Sequence, residues 1–426
     1  MKSAAAAQLD EGVTILGVEF GKNTKRLLGG LLSMGPLFIA ARFFTALGQI
    51  AAGRLLGPEQ YGLATMAVAA ATLIIIPFNL GFAPGLVKFA SMEENPRERV
   101  VIVSTALWAN VAMTLPCLAV LYALRGPASA LLHVSPTLYL WGLAYAAVWS
   151  IYMLLSSIPQ ALARFQARGW TELAYGAGAL GAFLALFFAV SRGYEAFLIS
   201  LIVALALAGA VALYASRDHI RLVFSMKALS RMSTYYLSPV VGSLSVALTM
   251  TATPLILAHY LSPASVGVLS IYELGTVGIA AVLAQILGTV LAPLTSAPSR
   301  QAGAWRKFFS LGLPVFAGCL LAFMVSDYAA LRLVGPGYPI DFSWIALFSL
   351  AAALSIPASA ASSLLTARDA SGLWLATLGS ILGGLASVAA IVWIVPARGF
   401  VGAAIAAVLS YAVSLIFFLV YGSKHA

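Results

Sequence analysis

From Ala196 to Ala215 the chain reads AFLISLIVALALAGAVALYA, twenty residues without one charged side chain. A helix rises about 1.5 Å per residue, so a run of this length crosses the roughly 30 Å hydrocarbon core of a bilayer. Runs of this kind recur along most of the 426 residues. Only 9% of the residues are charged, against about 25% in a soluble domain. With 62% hydrophobic residues and a mean hydropathy of +0.97, too few charges remain to cover a water-facing surface. Lipid is therefore the solvent for most of the chain, and helices satisfy its backbone there.

Apolar runs and the turn residues between them predict twelve spans. The first six are 27–53, 60–87, 99–124, 138–163, 171–191 and 195–216; the second six are 234–258, 265–292, 308–332, 343–366, 373–395 and 400–422. Residues 1–26 are polar enough to stay outside the bilayer and lack the apolar core and small-residue cleavage site of a signal peptide. Under this topology eighteen Lys and Arg fall on the side of the N-terminus and five on the other, with Arg42 alone inside a span. Positive residues concentrate on the cytoplasmic side of membrane proteins, so both termini are expected there. The net charge of +10 has the same origin. Its residues are scattered over short loops rather than gathered on a face, which argues against nucleic acid.

Two stretches two hundred residues apart share one pattern. LGPEQYG (Leu56, Pro58, Gly62) follows the first span, and LSPASVG (Leu261, Pro263, Gly267) follows the seventh. SRGYEA before the sixth span matches ARGFVG before the twelfth, and LARFQA around Arg164 matches TARDAS around Arg368. The third and ninth spans each carry a cysteine, Cys117 and Cys319, followed by YALRG and YAALRLVG. Four correspondences at offsets of roughly 202 to 207 indicate an internal duplication. An even number of spans per copy makes the copies parallel. The expected organisation is a segment 1–26, an N-lobe 27–216, a linker 217–233 and a C-lobe 234–422. In each motif Pro stops one helix, and Gly is expected to free the backbone for entry into the next. Such two-lobe architectures rock one repeat against the other around a midplane site.

The stretch RLLGPEQYGLATMAVAAATLIIIPFNLGFAPGLVKFAS, Arg54 to Ser91, resembles the first hairpin of bacterial polysaccharide repeat-unit flippases. These belong to the multidrug/oligosaccharidyl-lipid/polysaccharide exporter superfamily. LVGPGYPIDFSWIALFSLAA from Leu333 and ARGFVGAAIAAVLSY resemble the loop before their tenth helix and their last helix. The resemblance implies an all-α integral membrane fold, twelve helices in two six-helix bundles around a polar central cavity. It implies as substrate an undecaprenyl-pyrophosphate-linked oligosaccharide, an O-antigen or exopolysaccharide unit, flipped outward across the bacterial inner membrane. Helices one, two, seven and eight would line the cavity and its lateral openings to lipid. Asn79 departs from the family pattern, standing where many relatives place Asp before Leu-Gly.

Several side chains are candidates for the path. A charge at mid-membrane costs at least about 2.5 kcal/mol, so it needs a reason. Arg42 can hold a pyrophosphate bidentately, or pair structurally within its bundle. Glu273, at a similar depth in the eighth span, is expected to meet Arg42 across the cavity as a gate that substrate pyrophosphate opens, and its protonation can couple flipping to a proton gradient. Thr45 and Gln49 share the Arg42 stripe; Asn79, Gln285 and Gln160 are further polar candidates, as are Ser243, Ser245, Thr249, Thr251 and Thr253. Such residues also glue membrane helices together. Lys88, Arg164 and Arg368 stand at the expected cytoplasmic mouth, where they attract an anionic headgroup or simply anchor the helices. Asp327 and Arg332 are expected to pair locally. Trp141, Trp149, Trp170, Trp374 and Trp393 read as interfacial anchors.

No nucleophile–base–acid set, phosphate-binding loop or zinc motif is evident, so neither an enzyme nor a cofactor is expected. Multidrug or toxin cation extrusion is the alternative within the superfamily; it would want more acids. A membrane enzyme of lipid-linked sugar assembly would need a large outer loop or a carboxylate cluster. A lipid II flippase usually has more spans. Besides the lipid-linked cargo and membrane lipids no partner is required, and the chain is expected to work as a monomer; the sequence leaves open whether a polysaccharide polymerase binds its loops.

Overall fold

The computed structural model describes residues 13–15, 18–20, 22–79, 82–233, 252–284, 298–366 and 370–423. Apart from a short hairpin, β1 (Val13–Ile15) and β2 (Val18–Phe20), the regular structure described is helical. The helices are α1 (Lys22–Ile74), α2 (Ile76–Asn79), α3 (Phe82–Met92), α4 (Pro96–Ala123), α5 (Arg125–Leu131), α6 (Pro136–Ala161), α7 (Phe165–Ala189) and α8 (Tyr194–Ser216). After the linker come α9 (Met226–Ser233), α10 (Ala252–Tyr260), α11 (Pro263–Glu273), α12 (Pro298–Val334), α13 (Phe342–Thr366), α14 (Ala370–Arg398) and α15 (Phe400–Ser423). A π-helical turn, Leu274–Gly278, carries α11 on toward Ala284.

Ten helices among the described residues are long and apolar enough to cross a membrane, which makes this a multi-pass membrane protein. One of them, Met34–Ile74, holds the first expected span and the first part of the second, because α1 bends at Gly57. Of the expected seventh span only α10 lies within the described residues. The sequence boundaries err where Pro and Gly sit inside apolar runs. The second expected span, 60–87, breaks around Pro77 into α1, α2 and α3, and the expected outer loop 125–137 contains the helix α5.

The bend in α1 is local chemistry. Gly57 takes φ 73° and ψ 169°, a region that L side chains avoid, and Pro58 opens the next helix from the position where its missing N–H costs nothing. The second copy of the motif turns differently. Ser262, at φ −163°, stands in for Gly57 and caps α11, its hydroxyl accepting from Ser265 N at 3.3 Å, with Pro263 again opening the helix.

The two halves repeat one packing scheme. α6 and α7 both pack on α8, and α13 and α14 both pack on α15 in the same relation. α7 also lies along α1, as α14 lies along α10. Small residues set the α1–α7 distance. A Cβ on Gly176 would overlap the Ala41 carbonyl, and one on Gly169 would stand 2.8 Å from Leu37 Cδ1. The linker docks on α4 through polar contacts: Trp108 Nε1 donates to Arg221 O at 2.8 Å, and Arg221 N donates to Ser104 Oγ at 2.9 Å. Cys117 and Cys319 form no disulfide with each other and pack against apolar clusters. Trp141 and Trp149 also pack on the main cluster rather than serving only as rim anchors, whereas Trp393 is 82% exposed.

Candidate functional site

The two motif turns meet. Gly62 of the first copy lies so close to the second that a Cβ there would overlap the Pro263 carbonyl and stand 2.9 Å from Gly267 N. In return, a Cβ on Gly267 would overlap the Pro58 carbonyl. Neither glycine has a positive φ; both sit inside helices. The expected reason for glycine, freedom of the backbone, is therefore corrected. What each glycine supplies is room for the other copy's backbone. Around this crossing, contacts tie the halves together on the face where these turns lie, here called the motif face. Tyr338 Oη donates to Gly53 O at 3.1 Å, Arg54 Nη1 to Leu333 O at 3.4 Å, and Ser270 Oγ to Thr65 Oγ1 at 3.3 Å. The His133 and His259 rings touch at 4.2 Å between centroids. Burial keeps the Tyr338 hydroxyl protonated well above the usual tyrosine range, so it remains a donor to Gly53. These contacts, here called the seal, join the two halves on this face.

Glu273 lies below the seal, at the end of α11. Its carboxyl is near enough to interact electrostatically with Tyr61 from the first half and Tyr411 from the second. It makes no ion pair with Arg42; the ion pairs among the described residues are Arg168–Glu172 and Arg231–Glu93. The expected Arg42–Glu273 gate is thus not formed in this conformation, and the seal beside it is made by backbone packing instead. Tyr411 opens onto a cavity of about 390 Å³ inside the second half, lined among others by Ser355, Ser359, Ser362, Ser363, Ser380, Ser410 and Ser414. Several of these hydroxyls bond the carbonyl one turn back, as Ser363 does to Ser359 O at 2.8 Å, leaving oxygen lone pairs toward the cavity.

Arg42 is exposed on α1, one turn from Thr45, and acts electrostatically on Tyr175 of α7. Tyr175 belongs to a buried polar group that hydropathy did not reveal. Glu172, 8% exposed, binds Arg168 Nη2 at 2.5 Å and accepts from Tyr152 Oη at 3.2 Å; Tyr152 stacks on Tyr175 at 5.9 Å between centroids. Arg42 is therefore not the sole basic residue inside a span. α7 begins at Phe165, which carries both Arg168 and Glu172 into the helix. Their spacing of four was the available signal.

The remaining candidates scatter. Gln49 is half-buried on α1, and Gln160 is exposed near the end of α6. Lys88 is exposed, with its ammonium 5.8 Å from the centre of the Phe89 ring. Arg164 donates through Nη1 to Ala215 O, capping the end of α8, so its described role is structural. Gln285, Arg368, Ser243, Ser245, Thr249, Thr251 and the Asn79 side chain lie outside the described residues. The expected Asp327–Arg332 pair is absent. Arg332 Nε donates instead to Tyr328 Oη at 2.9 Å, one turn back, while Asp327 points into the protein with no exposed surface. Five residues along a helix put the two on diverging faces.

The fold is similar to that of several solved membrane proteins. It superposes on a lipid II flippase, MurJ, in an inward closed conformation, with a TM-score of 0.65 and 13% identity over 91% of this chain and 87% of that one. It also superposes on an inward-facing multidrug resistance MATE family transporter of the MOP superfamily, with a TM-score of 0.58 and 13% identity over 89% and 99%. A eukaryotic MATE transporter, AtDTX14, matches with a TM-score of 0.58 and 15% identity over 93% and 95%. No curated protein matches the sequence. The chain belongs to the polysaccharide biosynthesis protein family, whose profile covers residues 52–331.

Proposed function

We propose that this protein flips an undecaprenyl-pyrophosphate-linked oligosaccharide, an O-antigen or exopolysaccharide repeat unit, across the bacterial inner membrane by alternating access. The observation that carries the reading is the reciprocal contact of Gly62 with Pro263 and of Gly267 with Pro58. It seals one face through a two-fold-like junction between repeats, which is the junction that rocking must break. The motif face is the outer one, and both termini are cytoplasmic. The lobes are 27–216 and 234–422, joined by the linker 217–233. Family membership supports a carbohydrate cargo. The lipid II flippase acts on a lipid-linked substrate by its own name, and likeness of fold supports the same manner of movement here.

In this reading Arg42 takes the pyrophosphate. It is exposed on α1 and has no ion pair among the described residues. Glu273, Gln49, Asn79, Gln160 and Gln285 line the sugar path, with Lys88, Arg164 and Arg368 at the mouth. No covalent chemistry and no cofactor is required; the cargo, its lipid carrier and the bilayer are sufficient partners. A second reading, cation extrusion, is favoured by the buried acid Asp327.

The test is to follow lipid-linked saccharides in cells lacking the protein, with spheroplasts resolved by leaflet. Accumulation on the cytoplasmic face, relieved by wild type and not by Arg42→Ala, is the expected result. Unchanged lipid-linked saccharide with heightened sensitivity to cationic drugs would move the protein to the extrusion reading.

A further inference from the structure

The crossing of the two motifs has two flanks, and they are built from different chemistry. Gly62 and Gly267, like Pro58 and Pro263, stand 205 residues apart. The same offset pairs Arg54 with His259, each directly following an expected span, the first and the seventh. The loops that reach across also correspond. Ser135 caps α6 by accepting from Leu138 N, and Asp341 caps α13 by accepting from Ser343 N. His133 lies just before the first cap and Tyr338 just before the second.

On one flank, Tyr338 donates to Gly53 O at 3.1 Å and Arg54 Nη1 to Leu333 O at 3.4 Å. On the other, His259 meets His133, with ring centroids 4.2 Å apart and planes tilted by 56°. Hydrogen bonds to carbonyls close the first flank, whereas two imidazoles, one from each half, face each other at the second. Two of the four histidines in the chain are thus in one contact.

The backbone brings them there. His133 takes φ 53°, the left-handed conformation that ends many helices and usually falls to glycine or asparagine. Its N–H bonds Ala130 O, and the next N–H, of Val134, bonds Ser129 O. His259 lies in the last turn of α10. Both side chains are exposed, and neither enters an ion pair among the described residues. The second half's Tyr260 adds a ring 5.0 Å from His259 and no charge.

Neutral imidazole is the commonest side-chain ligand for metals and suits zinc, copper and nickel. Zinc–nitrogen bonds of about 2.0–2.1 Å hold two nitrogens within about 4 Å of each other, a spacing that rings already in contact can reach by side-chain rotation. No third His, Cys, Asp or Glu joins the pair among the described residues, so water completes the coordination. An ion held by two side chains and water exchanges with solution, as suits a regulator.

We propose that His133 and His259 bind one divalent transition-metal ion of the zinc class between the two halves, and that the bound ion locks the motif face shut. The ion is held by both rings only while they are together, so it stabilises the closed arrangement by mass action. At a concentration a hundred times its dissociation constant it raises the closed-to-open ratio about 100-fold. The nature of the cargo does not enter, so the lock acts alike on a saccharide carrier and on a cation exporter.

The experiment uses the full-length protein in nanodiscs, free of any polyhistidine tag, with zinc as the probe. Competition with a chromogenic chelator measures binding, and spin labels at the exposed positions Leu55 and Phe342 measure opening. Wild type is expected to take up one zinc ion that magnesium does not displace, and to shift toward the shorter distance population as zinc is added. His133→Ala and His259→Ala are each expected to lose that shift. Each also weakens zinc binding by about tenfold or more, since losing even a group that orients a metal ligand costs that much. His219→Ala, in the linker, keeps both responses. Wild type that binds no zinc, binding that survives both substitutions, or a distance distribution indifferent to bound zinc overturns the proposal. Should either alanine variant not fold, diethyl pyrocarbonate, which acylates exposed imidazoles, decides on wild type. Zinc is expected to protect His133 and His259 together and to leave His219 unprotected; equal modification of the pair with and without zinc overturns the proposal.

Discussion

Gly62 and Gly267 occupy equivalent places in the two copies of the repeat, and each lies against the proline carbonyl of the other's motif. A pattern that reads in one dimension as a pair of separate turns is in three dimensions a single junction. The rest of the seal, from Tyr338 on Gly53 to His133 against His259, is arranged around it.

Adding one methyl group at the junction separates the halves. Gly62→Ala or Gly267→Ala forces a Cβ into backbone that cannot rotate away, a form of overpacking that costs about 1–3 kcal/mol. Applied to a two-state opening, that shifts the equilibrium about 5–150-fold toward the open motif face. Spin labels at the exposed positions Leu55 and Phe342 would report it as a new, longer distance population in either variant. The double variant is expected to fall short of the sum, since both changes break the same contact.

Tyr338→Phe removes only the hydroxyl that donates to Gly53 O at 3.1 Å. A net hydrogen bond contributes about 1 kcal/mol, so the closed-to-open ratio falls roughly fivefold. The same pair of labels measures this, and a distribution identical to wild type would deny the bond any part in the seal.

The buried group on α7 is a matter of stability. Glu172→Ala leaves the half-buried Arg168 without its counter-charge and is expected to destabilise by about 3 kcal/mol. Glu172→Gln keeps a partner for Tyr152 and is expected to cost less. Thermal unfolding in nanodiscs, monitored by intrinsic fluorescence, ranks the two.

Asp341 caps α13 from the loop above the seal, accepting from Ser343 N at 2.8 Å and from the Ser343 hydroxyl. These bonds hold its carboxyl below the usual aspartate range. A depressed folded value means the cap stabilises the protein above the ordinary aspartate range and stops doing so as pH falls through the lowered value. Asp341→Asn should therefore flatten the acid limb of the stability curve while leaving the neutral limb parallel to wild type. Unfolding midpoints taken from neutral to acid pH for both proteins check the shape.

The spans and the duplication were legible because both are local. An apolar run such as Ala196–Ala215 announces its solvent, and Pro58 and Pro263 announce where helices begin. Contacts between distant segments were not legible. Gly62 looked like a turn residue because the carbonyl that requires it comes from Pro263, two hundred positions away. Arg168, the partner of Glu172, was placed outside the membrane since α7 starts earlier than its apolar run, and Arg332 was matched to Asp327 by proximity in sequence, although five residues on a helix diverge. The Arg42–Glu273 gate failed for a related reason: similar depth in the membrane does not fix which way two helices face. Gln285 and Arg368 fall outside the described residues.

The crossing of the two motifs has a bearing on leakage. Exchange of the repeats maps the Gly62–Pro263 contact onto the Gly267–Pro58 contact, so a displacement that strains one strains its twin equally. Such a closure has no stable half-way position in which one side yields while the other holds. It behaves as a latch rather than a throttle, and a membrane that must retain its ion gradients is served by a door that is either shut or open.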